Sequence, residues 1–298
     1  MGGDRITLVI ITCDRREQLL ETLAQVTALP DAAPIVLVDN ASSDGTADAV
    51  AAAYPQVELI RADRNLGSLA RNVAVRRIDT PYVAFCDDDT RWQPGALTRA
   101  VTLLDRHPGL ASVTGRCLVE PELAEDPLTP ELRASPVRGP KWLPGPALLG
   151  VMAGLSAFRV SAFRQVGGFS SRMWLGGEEE LLALDLAARG WWMCWVEDMV
   201  IHHAPSRVRN ARRRRQLGIR NTLWTLWLRR PLRSVLRRSL VVLRSAPADR
   251  ATLKAVLEAL RGLPWVLRER QVVPVSVELG LMRLEAQQRR SSARRYVG

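Results

Sequence analysis

Residues Ile6–Thr12 read ITLVIIT, a run of β-branched and apolar residues without an alternating polar face. Such a run is typical of a strand buried on both sides of a parallel sheet. The runs IVLVD at Ile35–Asp39 and YVAFC at Tyr82–Cys86 have the same character. Leucine or alanine recurs at helical spacing between these runs, as in Glu17–Thr27 and Leu69–Ile78. Strands that alternate with helices predict an α/β fold with a mostly parallel central sheet and helices on both faces.

The same patterns predict further elements along the chain. Additional strands are expected at Val57–Ile60, Ala111–Thr114, Leu149–Phe158, Trp191–Val196 and Met199–Ile201. Additional helices are expected at Thr46–Tyr54, Pro94–Arg106 and, beginning near Gly177, up to Arg189. The proline-rich segment Val119–Pro146 predicts a long surface loop.

The charge of the chain is uneven. The net charge is +11, and the residues from Ala211 onwards hold twenty arginines and one lysine against five acidic residues. We therefore divide the chain into an α/β domain at 1–210 and an Arg-rich helical region at 211–298. A basic region calls for an anionic partner, and lipid headgroups, a lipid diphosphate and nucleic acid all qualify.

The sequence also indicates a compartment. The four cysteines lie far apart and form no C-x-x-C pair. This pattern argues against a disulfide framework and favours a protein of the reducing cytoplasm. We expect no signal peptide before Ile6. The longest charge-free stretch, Trp142–Phe158, is interrupted by prolines and falls short of the ~20 residues of a spanning helix. We expect a cytoplasmic protein that can reach the inner face of the membrane.

Polar residues gather where the predicted strands end. In a parallel sheet, ligands bind at the edge formed by the carboxyl ends of the strands. Asp87, Asp88 and Asp89 directly follow the strand at Tyr82–Cys86. Three adjacent carboxylates repel one another unless a cation neutralises them, and Mg²⁺ or Mn²⁺ bound to substrate phosphates does so. The alternative is a solvated acidic turn or a helix cap, but the position at a strand end favours the metal.

The strand at Ile35–Asp39 runs into a second polar loop. Asp39 can accept hydrogen bonds from a nucleobase or a ribose. Turn formation and helix capping account for Ser43–Thr46 without any ligand. Asp39 is therefore the residue of this loop that we expect to contact a ligand.

Seven motifs occur in the order and spacing found in the family 2 glycosyltransferases, which have the GT-A fold. They are ITLVIITCDRREQLLETL, VDNASSDGT, RNLGSLARN, FCDDDT, GGF, GGEEELLALDLAARGW and IHHAPSR. From about Ile6 to Pro231 the chain resembles this family. The resemblance implies inverting transfer of a sugar from a nucleoside-diphosphate sugar, of the UDP or dTDP type, to an acceptor hydroxyl.

The resemblance also implies roles for individual residues. The expected nucleotide-sugar contacts are Thr12, Asp14, Asp39, Arg64, Asn65, Gly67, Arg71, Asp87 and Asp88. The expected metal ligands are Asp87, Asp89 and one histidine of the pair His202 and His203, with His203 favoured. The alternative for this pair is a surface position without a ligand. Arg207 or Arg209 can clamp the diphosphate, because guanidinium groups match phosphate oxygens.

An inverting transfer needs a base that takes the proton of the acceptor hydroxyl. The family usually shows Gly-Glu-Asp-x-Asp-Leu where this chain has Gly177 to Leu182. Glu179 therefore takes the position of the base, with Glu178 beside it in the catalytic pair. Leu181 takes the position of the later aspartate, which puts one acceptor contact in doubt. The alternative for the glutamates is a first helical turn enriched in acid to suit the helix dipole.

Three classes of function compete for this sequence. The first is the glycosyltransferase, with a glycan, a lipid-linked molecule or a small molecule as acceptor. The second is a catalytically silent relative that uses its basic region on a membrane or another anionic partner. The third, a dinucleotide-dependent oxidoreductase, lacks the G-x-G-x-x-G fingerprint after the first strand. Nucleic acid is not expected as a partner, because charge alone favours it. The apolar face around Trp224 and Trp227 is expected to dock on the α/β domain, with a membrane as the alternative.

Overall fold

The computed structural model describes residues 3–205 and 211–289. Ten strands within these residues form one sheet: β1 Ile6–Thr12, β2 Ile35–Asp39, β3 Glu58–Arg61, β4 Tyr82–Asp87, β5 Thr90–Trp92, β6 Leu110–Val119, β7 Ala124–Glu125, β8 Ala147–Leu148, β9 Ser156–Arg159 and β10 Trp192–His203. The α-helices of the same residues are α1 Arg16–Val26, α2 Thr46–Ala53, α3 Leu69–Arg77, α4 Ala96–Arg106, α5 Thr129–Arg133, α6 Val160–Gln165, α7 Glu178–Ala188, α8 Ala211–Arg229, α9 Leu232–Ser245, α10 Arg250–Arg261, α11 Leu263–Glu269 and α12 Val275–Gln288.

The strand order of the sheet is β3-β2-β1-β4-β9-β6-β10-β5. The first four of these strands are parallel. The short strand β9 then runs antiparallel to both β4 and β6, β10 is parallel to β6, and β5 is antiparallel to β10. The predicted α/β class is confirmed, with a sheet that is parallel over its first four strands and mixed beyond them.

The register of the parallel strands brings the polar strand ends together. Thr12 is paired with Asp39 across β1 and β2, and Ile11 is paired with Asp87 across β1 and β4. Apolar side chains of α1, α2 and α4 cover one face of the sheet, while those of α3, α6 and α7 cover the other. The predicted three-layer arrangement thus holds the aspartates at the carboxyl edge of the sheet.

The segment Leu149–Phe158 differs from the prediction. Only Ser156–Arg159 forms a strand, and Ala153–Leu155 forms a 3-10 turn. The strand assignment for residues 149–155 was therefore wrong. This part is apolar because it is buried beneath the polar edge of the sheet, as Val151 and Ala153 are, not because it pairs with a neighbouring strand.

Two other segments are more regular than predicted. The predicted loop at 119–146 contains the short strand β7 and the helix α5. The two strands predicted near residues 191–201 are one strand, β10, whose pairing with β6 shifts between Val196 and Val200. An irregularity inside a paired strand interrupts the apolar pattern without ending the strand.

The C-terminal helices pack on the α/β part. Leu223 and Trp224 of α8 share a buried cluster with Leu181 of α7, so this apolar face points inward. Val277 and Leu281 of α12 join the core that contains the other side of α7. The division of the chain at residue 210 stays a prediction. Of the helices in the described ranges, none combines the length and the apolar character that crossing a membrane requires.

A buried ion cluster fixes α12 to the corner between α8 and α9. Arg230 donates to Glu278 Oε1 (2.9 Å) and to Glu285 Oε1 (2.7 Å), and all three residues are buried. Removing one partner of a buried ion pair costs about 3–5 kcal/mol. We expect Arg230→Met to lower the thermal unfolding midpoint by roughly 10 °C in a circular-dichroism melt. Arg268→Met, at an exposed position of α11, is the control, and equal midpoints for the two variants would contradict this role.

Candidate active site

A cleft of ≈ 640 Å³ opens at the carboxyl edge of the parallel strands. The strands β1, β4 and β10, the helix α7 and the turn at Ala153–Leu155 all contribute to its wall. Among the residues predicted for the site, those that line the cleft are Thr12, Asn65, Gly67, Asp87, Asp88, Asp89, Glu179 and His203. Segments from the whole length of the α/β part therefore meet around one space.

Asp87 ends β4, and Asp88 and Asp89 form the turn to β5. The backbone N–H of Asp87 donates to Thr90 Oγ1 (2.7 Å), and the N–H of Ala204 donates to the carbonyl of Asp89 (2.8 Å). The first bond closes the turn, and the second holds it against the end of β10. The Asp87 side chain is 39% exposed, whereas those of Asp88 and Asp89 are only 8% and 5% exposed. Two buried carboxylates side by side need positive or hydrogen-bonding partners.

Arg15 supplies one of these partners. Its Nη1 lies 2.7 Å from Asp88 Oδ1 and 3.4 Å from Asp89 Oδ2, and Thr12 Oγ1 donates to Asp88 Oδ2 (3.0 Å). Burial raises the pKa of Asp88 to about 6, and the Arg15 guanidinium limits that rise. Sequence reasoning missed Arg15. Its position in the first loop of the same edge, opposite three aspartates, was the available signal.

Asp87 is held by a different arginine. Arg71 of α3 is buried and donates to Asp87 Oδ1, and its guanidinium lies over the rings of Phe85 and Phe169, at 5.8 and 5.6 Å from their centroids. Arg71 itself does not line the cleft. On the other side, a Cβ added to Gly154 would come within 2.7 Å of Asp87 Oδ2. Arg71 therefore positions Asp87, which presents its carboxylate to the cleft.

The two adjacent histidines have different surroundings. His203 Nε2 lies 3.7 Å from Asp89 Oδ2 and faces the cleft. His202 points to the other side of the strand, where its ring nitrogens lie 2.6 Å from Gln93 Nε2 and 3.4 Å from Glu120 Oε1. Since neighbouring residues of a strand face opposite sides, only His203 is placed to act with Asp89.

The residues at this end of the cleft fit a divalent cation. A carboxylate from Asp89 and an imidazole from His203 are suitable ligands for Mn²⁺ or Mg²⁺. Within the described residues, no three His, Cys, Asp or Glu side chains gather into a complete metal site. The remaining ligands of a bound cation would be phosphate oxygens and water, the usual arrangement for Mg²⁺ at a phosphate-bearing substrate.

The loops after β1, β2 and β3 form the opposite end of the cleft. Asp39 is buried at the end of β2 and does not itself line the cleft, whereas the next residue, Asn40, does. Asp39 Oδ2 accepts from Ser42 N (3.1 Å), and Asp39 Oδ1 has no hydrogen-bond partner in the described part of the chain. A buried carboxylate oxygen of this kind fits a donor group of a bound ligand. The side chain of Asn65 donates to Cys13 Sγ (3.1 Å), which joins two of these loops.

Gly67 allows Trp174 to close this end. A Cβ at Gly67 would lie 2.2 Å from the Trp174 carbonyl, and the backbone has the positive φ of +59° that favours glycine. The indole N–H of Trp174 donates to the carbonyl of Asn65 (3.2 Å). Trp174 lines the cleft, although the sequence offered no motif around it.

Two further predicted contacts do not line the cleft, and a third lies outside the described residues. Asp14 is exposed and accepts from Ser43 N (2.6 Å), so it joins two loops at the rim and does not line the cleft. Arg64 is exposed and does not line the cleft either. Arg207 lies outside the described residues, as does Arg209.

The first turn of α7 brings Glu179 to the cleft wall and buries Glu178 beside it. Glu179 lines the cleft and accepts a hydrogen bond from the N–H of Ala153, while the adjacent Gly154 touches Asp87. The pKa of Glu179 is raised to about 8, mainly by burial and secondly by the negative charge of the nearby Glu178. Burial also raises the pKa of Glu178, whose Oε2 has no hydrogen-bond partner in the described residues. A carboxylate with a raised pKa that faces the cleft is suited to accept a proton.

The C-terminal region supports this helix. Leu181, at the position of the family's later aspartate, is buried against Ile219 and Leu223 of α8. Asn221 of α8 donates to the carbonyl of Gly176 (2.6 Å) just before α7 begins. At this position the chain therefore lacks the family's carboxylate and has instead an apolar contact between α7 and α8.

Arg213 and Arg214 of α8 also line the cleft. Neither residue was among those predicted for the site, yet the structure brings both to its wall. The reason is the inward packing of α8, which brings its first turns over the cleft. The sequence alone showed the charge of these residues but not which side of the helix would face the site.

The chain is similar to known glycosyltransferases. The model of the family described as "Glycosyl transferase family 2" matches residues 7–167, more than half of the chain. The N-acetylglucosaminyl-diphospho-decaprenol L-rhamnosyltransferase of Mycobacterium tuberculosis is 28% identical over 282 residues, covering 80% of this chain and 90% of that relative.

Two solved structures show the fold. The mannosyltransferase PcManGT from Pyrobaculum calidifontis, in complex with GDP-Man and Mn²⁺, has a TM-score of 0.58 at 19% identity, covering 95% of this chain and 86% of its own. GalNAc-T7 with UDP, GalNAc and Mn²⁺ has a TM-score of 0.61 at 14% identity, covering 89% and 56%. The predicted GT-A fold is confirmed. With the seven motifs, the shared fold and the family match, the chain belongs to glycosyltransferase family 2 and is an enzyme that takes its sugar from a nucleotide-sugar donor.

Proposed function

We propose that this enzyme transfers a hexosyl or deoxyhexosyl group from a UDP or dTDP sugar to a hydroxyl of a diphosphate-linked lipid, with inversion at the sugar carbon. One observation carries the proposal. The same cleft is lined by Asp89 and His203, which suit a metal-bound diphosphate, and by Glu179, which suits a proton acceptor.

Asp89 and His203 would hold Mg²⁺ or Mn²⁺ at the diphosphate end of the cleft. When bound, such a cation stabilises the negative charge that develops on the departing diphosphate. Asp87, fixed by Arg71, orients the donor beside it. Asp39 accepts a hydrogen bond from the nucleoside at the far end, through the buried oxygen described above.

Glu179 acts as the general base. The acceptor hydroxyl attacks the anomeric carbon from the face opposite the diphosphate, and its proton passes to the Glu179 carboxylate. The bond from the anomeric carbon to the diphosphate oxygen breaks, and the electron pair leaves with the diphosphate. The hydrogen bond from the Ala153 N–H fixes the carboxylate, and Glu178 raises its affinity for the proton.

The acceptor class is supported by charge and by relationship. Arg213 and Arg214 place guanidinium groups at the wall of the cleft, where they can contact the phosphates of an acceptor. The M. tuberculosis relative is named for a diphospho-decaprenol acceptor and for L-rhamnosyl transfer. A lipid diphosphate is therefore the acceptor, and a deoxyhexose the sugar, that we would test first.

A donor and acceptor screen tests the proposal. Thermal stabilisation by a panel of nucleoside-diphosphate sugars, with Mn²⁺ present, identifies the donor. The donor is then incubated with a short-chain lipid diphosphate that carries an N-acetylglucosamine, and the product is detected by mass spectrometry. We expect a mass increase of one sugar and an inverted linkage by NMR. Transfer only to acceptors without a diphosphate would overturn the acceptor class but not the reaction.

The raised pKa of Glu179 predicts the pH dependence of the reaction. Because the pKa is about 8, the carboxyl is protonated and inactive as a base at lower pH. We expect kcat/KM for the acceptor to rise with pH and to reach half of its plateau near pH 8. In Glu178→Gln the neighbouring charge is absent, so the midpoint should move to lower pH. A profile that is flat from pH 6.5 to 9 would speak against Glu179 as the base.

A further inference from the structure

The outer face of α9 carries a stripe of exposed leucines. Leu232, Leu236, Leu240 and Leu243 are spaced by four, four and three residues, and therefore share one side of the helix. Leu232 and Leu236 are 70% and 73% exposed, and the other two are exposed as well. The inner side of the same helix buries Ser234 and Val242. The larger apolar residues thus face away from the protein.

The helix α10 shows the same arrangement of apolar residues. It buries its smallest residues against α8 and exposes its largest ones. The buried residues are Ala251, Ala255 and Ala259, and the exposed ones are Leu253, Leu257 and Leu260. A helix stabilised only by its contact with the protein would place leucine inward, since each buried leucine contributes more than alanine.

Basic residues border both stripes. Arg233, Arg237 and Arg244 follow stripe leucines by one residue in α9, and Lys254 and Arg261 do so in α10. A residue that follows by one position lies about 100° further around the helix, at the edge of the stripe. All five are exposed. Long basic side chains at the edge of an apolar stripe can extend their charge toward lipid phosphates while their stems cover apolar surface.

We propose that the leucine stripes of α9 and α10 form a docking surface for an anionic lipid bilayer. The leucines enter the boundary between headgroups and acyl chains. The bordering basic residues contact the phosphates, except Arg237, which is paired with Glu285 (2.7 Å). Opposite charge selects this partner, because the region from Ala211 onwards is strongly basic while the residues before it carry a net negative charge.

This surface goes beyond the reaction proposed above. Docking would keep the enzyme at the surface that holds a lipid-linked acceptor, which raises the local concentration of that acceptor. Binding to vesicles needs neither donor nor acceptor. A failure of the docking surface would therefore leave the proposed reaction standing, and a failure of the reaction would leave the vesicle result unchanged.

Sedimentation of the full chain with sucrose-loaded vesicles tests the surface. One set of vesicles is phosphatidylcholine, and the other contains about one third phosphatidylglycerol. We expect strong partitioning to the anionic vesicles only. Leu236→Gln should lower the partition coefficient about tenfold, and Arg233→Gln should lower it about fivefold. Both substitutions are at exposed positions, so the unfolding midpoint should not change.

Leu123→Gln is the matched control, because Leu123 is also exposed but lies between β6 and β7. Its partition coefficient should equal that of the unmodified protein. Equal binding by the Leu236→Gln variant, or no preference for anionic vesicles, would overturn the proposal. If the protein does not bind vesicles but forms dimers, and Leu236→Gln dissociates these dimers, the stripes join two copies of the chain instead.

Discussion

Glu179→Gln is expected to lower kcat by about 10²–10⁴-fold, the usual contribution of a positioned general base. Glutamine keeps the size of the side chain and can still accept the hydrogen bond from Ala153, but it cannot take the proton of the acceptor. The dissociation constant of the donor should remain within about threefold, because Glu179 acts on the acceptor and not on the nucleotide. Steady-state kinetics and calorimetric titration of the donor measure the two quantities separately.

Glu180→Gln is the matched control for this variant. Glu180 belongs to the same helical turn but does not line the cleft, so its kcat should remain near that of the unmodified enzyme. If Glu179→Gln keeps more than a tenth of kcat, or if it loses donor binding, its assignment as the base is wrong.

The same variant tests how Glu179 affects the stability of the fold. The folded-state pKa of Glu179 is raised, so the stability that the neutral carboxyl contributes is present at low pH and is lost as the pH rises through about 8. Glutamine has no charged form and avoids this loss. Above pH 8 the unfolding midpoint of Glu179→Gln should therefore be at least as high as that of the unmodified enzyme, which separates a chemical defect from a folding defect.

Asp89→Asn is expected to weaken Mn²⁺-supported binding of a nucleoside diphosphate about 100-fold. The amide lacks the negative charge that a divalent cation requires, while Asp88 keeps its contact with Arg15. Calorimetric titrations with Mn²⁺ and with a chelator should give the same weak affinity for this variant. For the unmodified enzyme the two affinities should differ by about the same factor.

Asp63→Asn serves as the control, since Asp63 is exposed and does not line the cleft. It should bind the diphosphate as the unmodified enzyme does in both titrations. Equal affinity of the unmodified enzyme with and without chelator would remove the metal from the proposed site.

The sequence predicted the parallel part of the sheet well because its strands are apolar on both faces. That pattern, together with the rule that strand ends meet at one edge, was enough to bring Thr12, Asp39 and Asp87 together. It predicted a strand over residues 149–158, but not that only the end of this segment, as β9, would enter the sheet between β4 and β6. Pairing partners far apart along the chain determine such a strand.

The supporting side chains of the site were harder to predict. Arg15 and Arg71 act through long side chains whose reach depends on the packing of α1 and α3. Trp174 lies in a loop without a motif, and Leu181 departs from the family pattern because α8 packs over it. In each case a contact between distant segments, and not a local pattern, determines the role of the residue.

The helix that carries Glu179 is enclosed between α8 and α12, and the latter is fixed by Arg230, Glu278 and Glu285. The packing around this helix is thus completed by α12, which lies far beyond Glu179 in the sequence. Removal of α12 would open this side of the helix to solvent. A shortened version ending near residue 210 would likewise expose the base to solvent and lose the raised proton affinity that its chemistry needs.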